Sequence, residues 1–279
     1  MDDIEVAGPV VVTGAANGIG RATALLLAGR GRDLVVCDRD EAGLGSLAAE
    51  VRELRRDVRA EVLDVRDATA VQEFLDAAGT AVGGLAGLVN NAGGTYRSPF
   101  VDSRSKGDRA LVDENFTSVV EVTRAALAHL GPGSAIVNVT SSEAFQAAPG
   151  FGVYAAMKAA VENLTRTLAL ELADAGIRVN SVAPDGIPTA GDEELAAAVR
   201  SEGDHLPPPV PPLGRFGAPE ECAEVVAFLL GGRARFVTGT CVHVDGGLHA
   251  AGGWHRVVRD GAVPSGGAIP SGGAAVPGN

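Results

Sequence analysis

The sequence predicts an α/β protein with a single doubly wound parallel sheet of about seven strands and helices on both faces. Three observations predict this fold. Short β-branched runs alternate with helical stretches, and connections of that length join parallel strands. A glycine-rich turn links the first strand to the first helix. Polar residues follow the ends of several strands, at the edge where ligands bind to such sheets.

The first strand, turn and helix form the most informative stretch. Residues 10–13 are apolar or β-branched and predict a strand, and residues 14–20 predict a tight turn rich in glycine. Residues 21–29 carry an apolar stripe that predicts a helix. The β-branched run that follows ends at Asp38, so the second strand carries a carboxylate at its tip.

A bound nucleotide would give each feature of this unit a role. Gly14 lets the backbone leave the strand sharply, while Gly18 and Gly20 lack the β-carbons that would block a pyrophosphate. The N–H groups that begin the helix would then face the phosphates. Asp38, eighteen residues after Gly20, could accept hydrogen bonds from the adenosine ribose. An ordinary strand-to-helix turn is the alternative, and the flanking strand, helix and carboxylate favour the nucleotide site.

Strands and helices continue to alternate after Asp38. The helix that begins near Tyr154 is apolar nearly all round, so we expect it to be buried by the sheet on one side and by another subunit on the other. The predicted strands are residues 58–65, 85–90, 135–139, 177–183 and 237–244, and the predicted helices are residues 41–54, 69–81, 109–130, 154–172 and 219–230.

Two segments depart from the alternation. Residues 185–214 contain a short helical piece at 193–200 and the run LPPPVPPLG, which suits neither helix nor sheet. We expect a lid at about 185–214, the alternative being a surface excursion with no role. Residues 250–279 are rich in Gly, Pro and Ser, so we expect a partly disordered tail, disordered or loosely draped over 262–279. Trp254 is its one plausible anchor.

Composition and charge exclude several classes of function. The net charge of −12 and the pI of about 4.8 argue against nucleic-acid and membrane partners, which require a basic surface. Three scattered cysteines and five dispersed histidines have the spacing of neither a disulfide framework nor a metal site. No apolar run approaches the roughly 18 residues that cross a bilayer, and the first residues lack the apolar core of a signal peptide. We therefore expect a cytoplasmic protein.

Ser141, Tyr154 and Lys158 form the constellation that can carry a reaction. Tyr154 and Lys158 are four residues apart and share a helix face, while Ser141 ends a neighbouring strand on the same edge. Bringing a phenol from a pKa of about 10 to near 7 requires roughly 4 kcal/mol. An ammonium about 4 Å away supplies about that much at an effective dielectric near 20. Lysine occurs elsewhere only at Lys106. An amphipathic surface pair is the alternative for any Tyr-x-x-x-Lys in isolation.

Taken together and in order, these motifs resemble the short-chain dehydrogenase/reductase family over about residues 5–249. The resemblance implies a Rossmann-type sheet, with residues 1–249 forming an NAD-binding catalytic domain. The matching residues are Thr13-Gly14 with Gly18 and Gly20, Asp64, Asn90-Asn91-Ala92-Gly93, Asn115, Ser141, Tyr154, Lys158, Asn180, Pro184-Asp185-Gly186 with Thr189, and Asp245-Gly246-Gly247.

The resemblance also implies a role for each site residue. The sequence predicts no metal site. Tyr154 is the general acid/base, and Lys158 lowers its pKa and bonds the nicotinamide ribose. Ser141 polarises the substrate oxygen, and Asn115 holds a water in the proton relay. The implied cofactor contacts are Thr13, Gly14, Asn17, Gly18, Ile19, Gly20, Asp38, Arg39, Asp64, Val65, Asn91, Ala92, Gly93, Tyr154, Lys158, Pro184, Gly186, Ile187 and Thr189.

The expected cofactor is NAD. Asp38 can accept charge-assisted hydrogen bonds from ribose hydroxyls and would repel the 2′-phosphate of NADP. Arg39 beside it is the opposing signal, because an arginine there can serve NADP. Asn17 restores the preference for NAD, since NADP-using relatives often carry a basic residue at that turn position.

The expected substrate is a small, mostly apolar secondary alcohol or ketone, and the expected assembly is a homo-oligomer, either a tetramer or a dimer. Two positions depart from the family pattern, with Asp185 and Ala144 standing where glycine is usual. A nucleotide-binding protein with a non-redox or regulatory role is the alternative, although such members commonly lose the Ser-Tyr-Lys set. The candidate pocket residues are Tyr96, Glu143, Phe145, Phe151 and Asp185.

The tail yields the first testable prediction. Truncation after Arg259 should leave the melting temperature and the oligomeric state unchanged, because the removed segment offers no large apolar anchor. Trp254→Ala should weaken assembly measurably, since a tryptophan buries about 150–250 Å². Thermal denaturation and size-exclusion chromatography measure both effects. Loss of solubility or activity on removing residues 260–279 alone would contradict the proposed boundary.

Overall fold

The computed structural model of the chain describes residues 8–189 and 210–252. Several of the sequence-based predictions concern residues outside these two ranges. The helical piece at 193–200, the first part of the proline run, and Trp254 with the tail that follows it all lie outside the described residues.

Seven parallel strands form one sheet in the order β3-β2-β1-β4-β5-β6-β7. This confirms the predicted fold class. The chain runs outward from β1 to β3 and then returns to β4, so the order reverses between β1 and β4, where ligands bind in such sheets. The strands are β1 (Val10–Thr13), β2 (Leu34–Asp38), β3 (Val58–Val62), β4 (Leu85–Asn90), β5 (Leu130–Val139), β6 (Arg178–Pro184) and β7 (Cys241–Val244).

Helices connect the strands and cover the sheet. Asp40 and Asp67 begin α2 and α3, where each side chain accepts backbone N–H groups of the first turn. The helices are α1 (Gly18–Gly29), α2 (Glu41–Glu53), α3 (Ala68–Val82), α4 (Ser105–Val112), α5 (Ser118–Leu127), α6 (Gly152–Glu171), α7 (Pro219–Leu230) and α8 (Leu248–Ala251). A π-helical turn, Asp113–Thr117, joins α4 to α5, and short 3₁₀ turns span Ser142–Phe145 and Gly232–Ala234.

Alternate residues of β1 face two separate cores. Val10 and Val12 of β1 pack with α1, α2 and α7 on one face, while Val11 packs with α3 and α5 on the other. All three side chains are fully buried. A strand covered on both faces must be apolar at every position, which is why these runs lack the polar alternation of a half-exposed strand.

The prediction of one helix over residues 109–130 was wrong in two respects. The helical segment begins earlier, at Ser105, and contains the π-helical turn. It ends at Leu127 because the chain then joins the sheet, where Leu130 pairs with Leu85 of β4. Periodicity alone does not reveal this pairing, since the apolar residues before it suit a helix equally well.

Two predicted strands are shorter in the structure. β3 ends at Val62, three residues before the predicted end, because its neighbour β2 ends at Asp38 and offers no further partner. β7 begins at Cys241, four residues after the predicted start, because Gly239 has a φ of +72° that interrupts the extended chain. Asp64 therefore lies in the loop after β3.

Within residues 8–189 and 210–252, no helix combines the length and the hydrophobicity needed to cross a membrane. The three cysteines are free thiols. Burial raises the pKa of Cys37 and of Cys222 to about 12, so both behave as small apolar core residues.

Candidate active site

The turn between β1 and α1 requires glycine. Gly14 and Gly18 have positive φ angles of 63° and 55°, which other residues rarely adopt. A β-carbon at Gly20 would lie 2.1 Å from the carbonyl oxygen of Gly14, and one at Gly14 would lie 2.8 Å from the Cα of Ala92. Glycine therefore lets α1, the turn and the segment after β4 approach one another more closely than side chains permit.

Thr13 and Asn91 hold this turn against the end of β4. The Thr13 hydroxyl oxygen accepts hydrogen bonds from the backbone N–H groups of Asn91 (3.1 Å) and Ala92 (3.0 Å). The Asn91 amide donates to the carbonyls of Thr13 (3.1 Å) and Gly14 (2.9 Å). Sequence analysis predicted these residues as cofactor contacts. In the structure their hydrogen bonds join two parts of the protein and fix the shape of the glycine-rich turn.

Asp38 lies at the tip of β2, facing the same turn. Its carboxylate accepts the backbone N–H groups of Ala16 (2.9 Å) and Asp40 (3.0 Å). The Asn17 amide donates to the Asp40 carboxylate (3.0 Å), so it does not cap the start of α1. The N–H groups of the first helical turn are therefore left without a side-chain acceptor from Asn17, as an anion site at a helix start requires.

Arg39 and Asp64, both predicted as cofactor contacts, are each paired with a residue of opposite charge. Arg39 makes an ion pair with Glu114 (3.1 Å), and 58% of the Arg39 side chain is exposed against 18% of Glu114. Asp64 binds Arg66 through two guanidinium nitrogens, and these hydrogen bonds hold the Asp64 pKa below its usual value. Val65 beside it is buried.

Ser141 lies at the end of β5 with a carboxylate beside it. Its hydroxyl donates a short hydrogen bond to Glu143 Oε2, and the Glu143 N–H donates back to the Ser141 oxygen (3.4 Å). The next hydroxyl, on Ser142, donates to Asp185. Asp185 also accepts the N–H of Gly186 (2.7 Å). Asp185 was predicted as a candidate pocket residue, and the structure shows it bridging the loops after β5 and β6.

Lys158 connects α6 to the end of β5. Its ammonium is buried, donates to the carbonyl of Val139 (3.1 Å), and lies 5.5 Å from the centre of the Tyr154 ring. Val139 is two residues before Ser141, so this hydrogen bond brings the predicted Ser, Tyr and Lys to one edge of the sheet. The predicted sharing of a helix face by Tyr154 and Lys158 is consistent with this contact.

Burial lowers the pKa of Lys158 to about 8, because removing an ammonium from water disfavours the charged form. The negative charges of Glu114, Glu143 and Glu162 act in the opposite direction and raise the pKa. Burial is the larger effect.

Asn115 occupies the π-helical turn, a distortion that is frequent at functional sites. Its amide nitrogen donates to the carbonyl of Gly94 (2.8 Å). Its Oδ1 is buried and has no hydrogen-bond donor among the described residues. A β-carbon at Gly93 would lie 2.9 Å from this oxygen and 3.2 Å from the Lys158 ammonium. Asn115 and Lys158 therefore converge beside Gly93, as a proton relay through both would require.

Sequence analysis missed Glu162 entirely. Its buried carboxylate accepts hydrogen bonds from the hydroxyls of Thr140 and Ser181, the latter at 2.9 Å. The signal that could have found it is its position four residues after Lys158, which puts both side chains on one face of α6. Glu114 was also missed, although it directly precedes Asn115.

The segment predicted to form a lid begins beside the glycine-rich turn. β6 ends at Pro184, and Gly186 has a φ of +59° that redirects the chain. Ile187 is buried. A β-carbon at Gly18 would lie 3.1 Å from Cγ2 of Thr189, so the start of the predicted lid lies close to the glycine-rich turn. Ile187 and Thr189, both predicted as cofactor contacts, lie in this segment.

The predicted apolar pocket residues are only partly shielded. Phe145 packs against His243 and His249, with ring centroids 4.7 Å and 5.5 Å away, and the two imidazoles stack at 3.9 Å. Phe151 precedes α6, and the Tyr96 hydroxyl lies against α4. The two histidines therefore pack against each other and against Phe145.

These residues fit a dinucleotide. The glycine-rich turn, the uncapped start of α1 and the Asp38 carboxylate suit phosphates and a ribose. The buried Asn115 oxygen and the Lys158 ammonium suit a polar group near the reacting end. The residues that would hold the cofactor are therefore distributed along one groove at the carboxyl ends of β1, β2, β4 and β6.

Comparison with known proteins gives consistent matches over nearly all of this region. The family model described as enoyl-(acyl carrier protein) reductase matches residues 14–249. A 3-oxoacyl-(acyl-carrier-protein) reductase of Thermotoga maritima is 38% identical over 240 residues, covering 85% of this chain and 96% of the relative. A cis-4-hydroxycyclohexanecarboxylate dehydrogenase of Sinomonas cyclohexanicum is 37% identical over 243 residues, covering 86% and 96%.

A solved structure shows the same similarity. A short-chain dehydrogenase from Burkholderia cenocepacia, crystallised in complex with NADP, superposes with a TM-score of 0.78 at 33% identity. The alignment covers 86% of this chain and 96% of that structure.

The buried ammonium makes stability depend on pH. The Lys158 pKa is about 8 in the folded chain and has an ordinary value of 10.5. The unfolded chain therefore binds more protons between these values, and the free energy of unfolding rises with pH. Between about pH 7.5 and 9.5, wild type should gain on the order of 2 kcal/mol relative to Lys158→Met. Urea denaturation without cofactor measures the difference.

Lys106→Met is the matched control, because it removes the chain's other lysine at an exposed position. Its stability should follow that of wild type across the same pH range. Parallel pH profiles for wild type and Lys158→Met would contradict the lowered pKa.

Proposed function

This chain belongs to the short-chain dehydrogenase/reductase family, and we propose that it is an NAD-dependent dehydrogenase/reductase of small secondary alcohols and ketones. The observation that carries the proposal is the tie between Lys158 and the end of β5, beside Ser141 and under the Tyr154 ring. Membership of an oxidoreductase family gives these three residues a chemistry to perform. The intact Ser-Tyr-Lys set weighs against a purely nucleotide-binding or regulatory role.

Each of the three residues has a task in this proposal. When bound, the nicotinamide cofactor supplies or accepts the hydride. Tyr154 takes the proton of an alcohol, or returns it to a ketone oxygen, as general base or acid. The Lys158 ammonium favours the phenolate through its charge. Ser141 holds the substrate oxygen, and Asn115, with its unpaired buried oxygen, orders the polar group that passes the proton onward.

The preference for NAD rests on the charges at the end of β2. The Asp38 carboxylate is held by two backbone N–H groups and keeps lone pairs for ribose hydroxyls. A 2′-phosphate would meet this negative charge. Arg39, which could offset it, is engaged by Glu114. The NADP in the Burkholderia cenocepacia structure belongs to that protein, whose sequence is 33% identical.

Substrate class and assembly complete the proposal. A relative at 37% identity is named for an alcohol carried on a cyclohexane ring, which supports a cyclic secondary alcohol as substrate. We propose residues 1–249 as the catalytic domain and 185–214 as its lid. A homo-oligomer formed through the outer face of α6 would cover Leu170, whose surface is 80% exposed.

Replacing the proposed acid/base tests the mechanism. Tyr154→Phe should lower the turnover of a cyclic alcohol with NAD by at least about a hundredfold, the scale of general acid-base catalysis. NADH binding, followed by fluorescence titration, should persist. Tyr96→Phe makes the same change at the chain's only other tyrosine and should reduce turnover far less. A Tyr154→Phe protein that keeps most of its activity would remove Tyr154 from the mechanism.

Replacing Asp38 tests the cofactor preference. Wild type should have the higher kcat/KM with NADH. Asp38→Asn should raise the NADPH-to-NADH ratio of kcat/KM by about tenfold or more, since charge-assisted hydrogen bonds contribute roughly 1.5–3 kcal/mol each. Glu41→Gln removes the same charge from an exposed site on α2 and should leave the ratio at its wild-type value. Equal or better efficiency of wild type with NADPH would overturn the assignment.

A further inference from the structure

Glu143 is a carboxylate that the proposed chemistry does not use. It lies two residues after Ser141, in the 3₁₀ turn Ser142–Phe145, and is only partly buried. Its Oε2 accepts the Ser141 hydroxyl. Its charge also reaches the Lys158 ammonium, whose pKa it raises. Glu143 therefore lies at the reaction centre, within one hydrogen bond of the group that holds the substrate oxygen.

A carboxylate at this point changes what the pocket accepts. A carboxylate has about four lone-pair sites, so the bond from Ser141 leaves Oε1 able to accept another donor. The Ser141 hydroxyl has one proton, so when it donates to the substrate oxygen Glu143 loses this donor, and a purely apolar substrate would then leave the charge without a partner and lose binding energy. A site built around a hydrogen-bond acceptor strongly rejects analogues that lack the matching donor. The replacement donor must lie close to the reacting carbon, because Glu143 is within one hydrogen bond of Ser141, which holds the substrate oxygen.

The charge of Lys158 decides which donor fits. An amine on the substrate would be an ammonium near neutral pH, and its attraction to Glu143 would be opposed by repulsion from the Lys158 ammonium and by the loss of its own hydration. A hydroxyl donates to Glu143 without adding positive charge. Resting on the proposed dehydrogenase function, we propose that Glu143 is a specificity-determining residue that selects vicinal diols, and the corresponding α-hydroxy ketones, over alcohols with one hydroxyl.

The proposed reaction balances with the cofactor already named. The carbinol carbon of the diol loses a hydride to the oxidised nicotinamide cofactor, and its O–H proton passes to Tyr154. The C–H and O–H bonds break and a C=O bond forms, giving the α-hydroxy ketone. The neighbouring hydroxyl keeps its proton and remains hydrogen-bonded to Glu143 throughout.

A matched pair of substrates tests the inference. Cyclohexane-1,2-diol and cyclohexanol differ by one vicinal hydroxyl, and 2-aminocyclohexanol carries the amine instead. Wild type should oxidise the diol with at least about tenfold higher kcat/KM than cyclohexanol, the scale of one hydrogen bond to a charged group. Glu143→Gln should reduce this ratio about tenfold. Glu73→Gln, at an exposed carboxylate on α3, should retain the wild-type ratio.

A binding measurement separates recognition from catalysis. In the Tyr154→Phe background with NAD bound, calorimetry should give a lower Kd for the diol than for cyclohexanol, and Glu143→Gln should remove most of the difference. NADH titration of each variant establishes that the nucleotide site is folded.

The possible outcomes test the inference and the proposed dehydrogenase function separately. Equal kcat/KM for the diol and cyclohexanol in wild type, or a preference for the amino alcohol, would overturn the inference alone. A loss in Glu143→Gln that is equal for both alcohols would show that Glu143 acts only through Ser141, which also overturns it. Oxidation of none of the three substrates with NAD or NADP would overturn the proposed function and the inference together.

Discussion

The close approach of the β1–α1 turn to the end of β4 is the constraint on which the rest of the site depends. A β-carbon at Gly20 would lie 2.1 Å from the Gly14 carbonyl oxygen, so this packing exists only because glycine stands there. Thr13 and Asn91 then join the two strands by hydrogen bonds. Since the strand order reverses between β1 and β4, the same contact fixes the crevice in which a nucleotide binds.

The buried ammonium of Lys158 connects the parts of the site electrostatically. Burial lowers its pKa, and three carboxylates resist that change. Each carboxylate also bonds a different partner: Glu114 pairs with Arg39, Glu143 accepts from Ser141, and Glu162 accepts from Ser181. A change of charge at Glu114, Glu143 or Glu162 therefore shifts the pKa of Lys158, which lies beside the proposed base Tyr154.

The relatives of the chain include both a 3-oxoacyl-(acyl-carrier-protein) reductase and a dehydrogenase of a hydroxylated cyclohexanecarboxylate. A shared fold accommodates such different substrates because the sheet and nucleotide turn are separate from the loops after β4, β5 and β6. In this chain Glu143 and Asp185 occupy two of those loops. Asp185 is bound to Ser142 and Gly186, whereas Glu143 accepts the hydroxyl of Ser141, the residue proposed to hold the substrate oxygen.

The sequence by itself determined the strand-helix alternation, the parallel sheet and the nucleotide turn, because periodicity and glycine spacing are local properties of the chain. Helix geometry placed Tyr154 and Lys158 on one face, and the resemblance to a known family singled out Ser141 as their partner. Tertiary structure decided the rest. β3 stops where its neighbour stops, and the helix after α4 gives way to β5 where Leu130 finds Leu85. The pairings of Glu143 and Glu162 depend on strands far apart in sequence meeting at one edge, a proximity that no local pattern records.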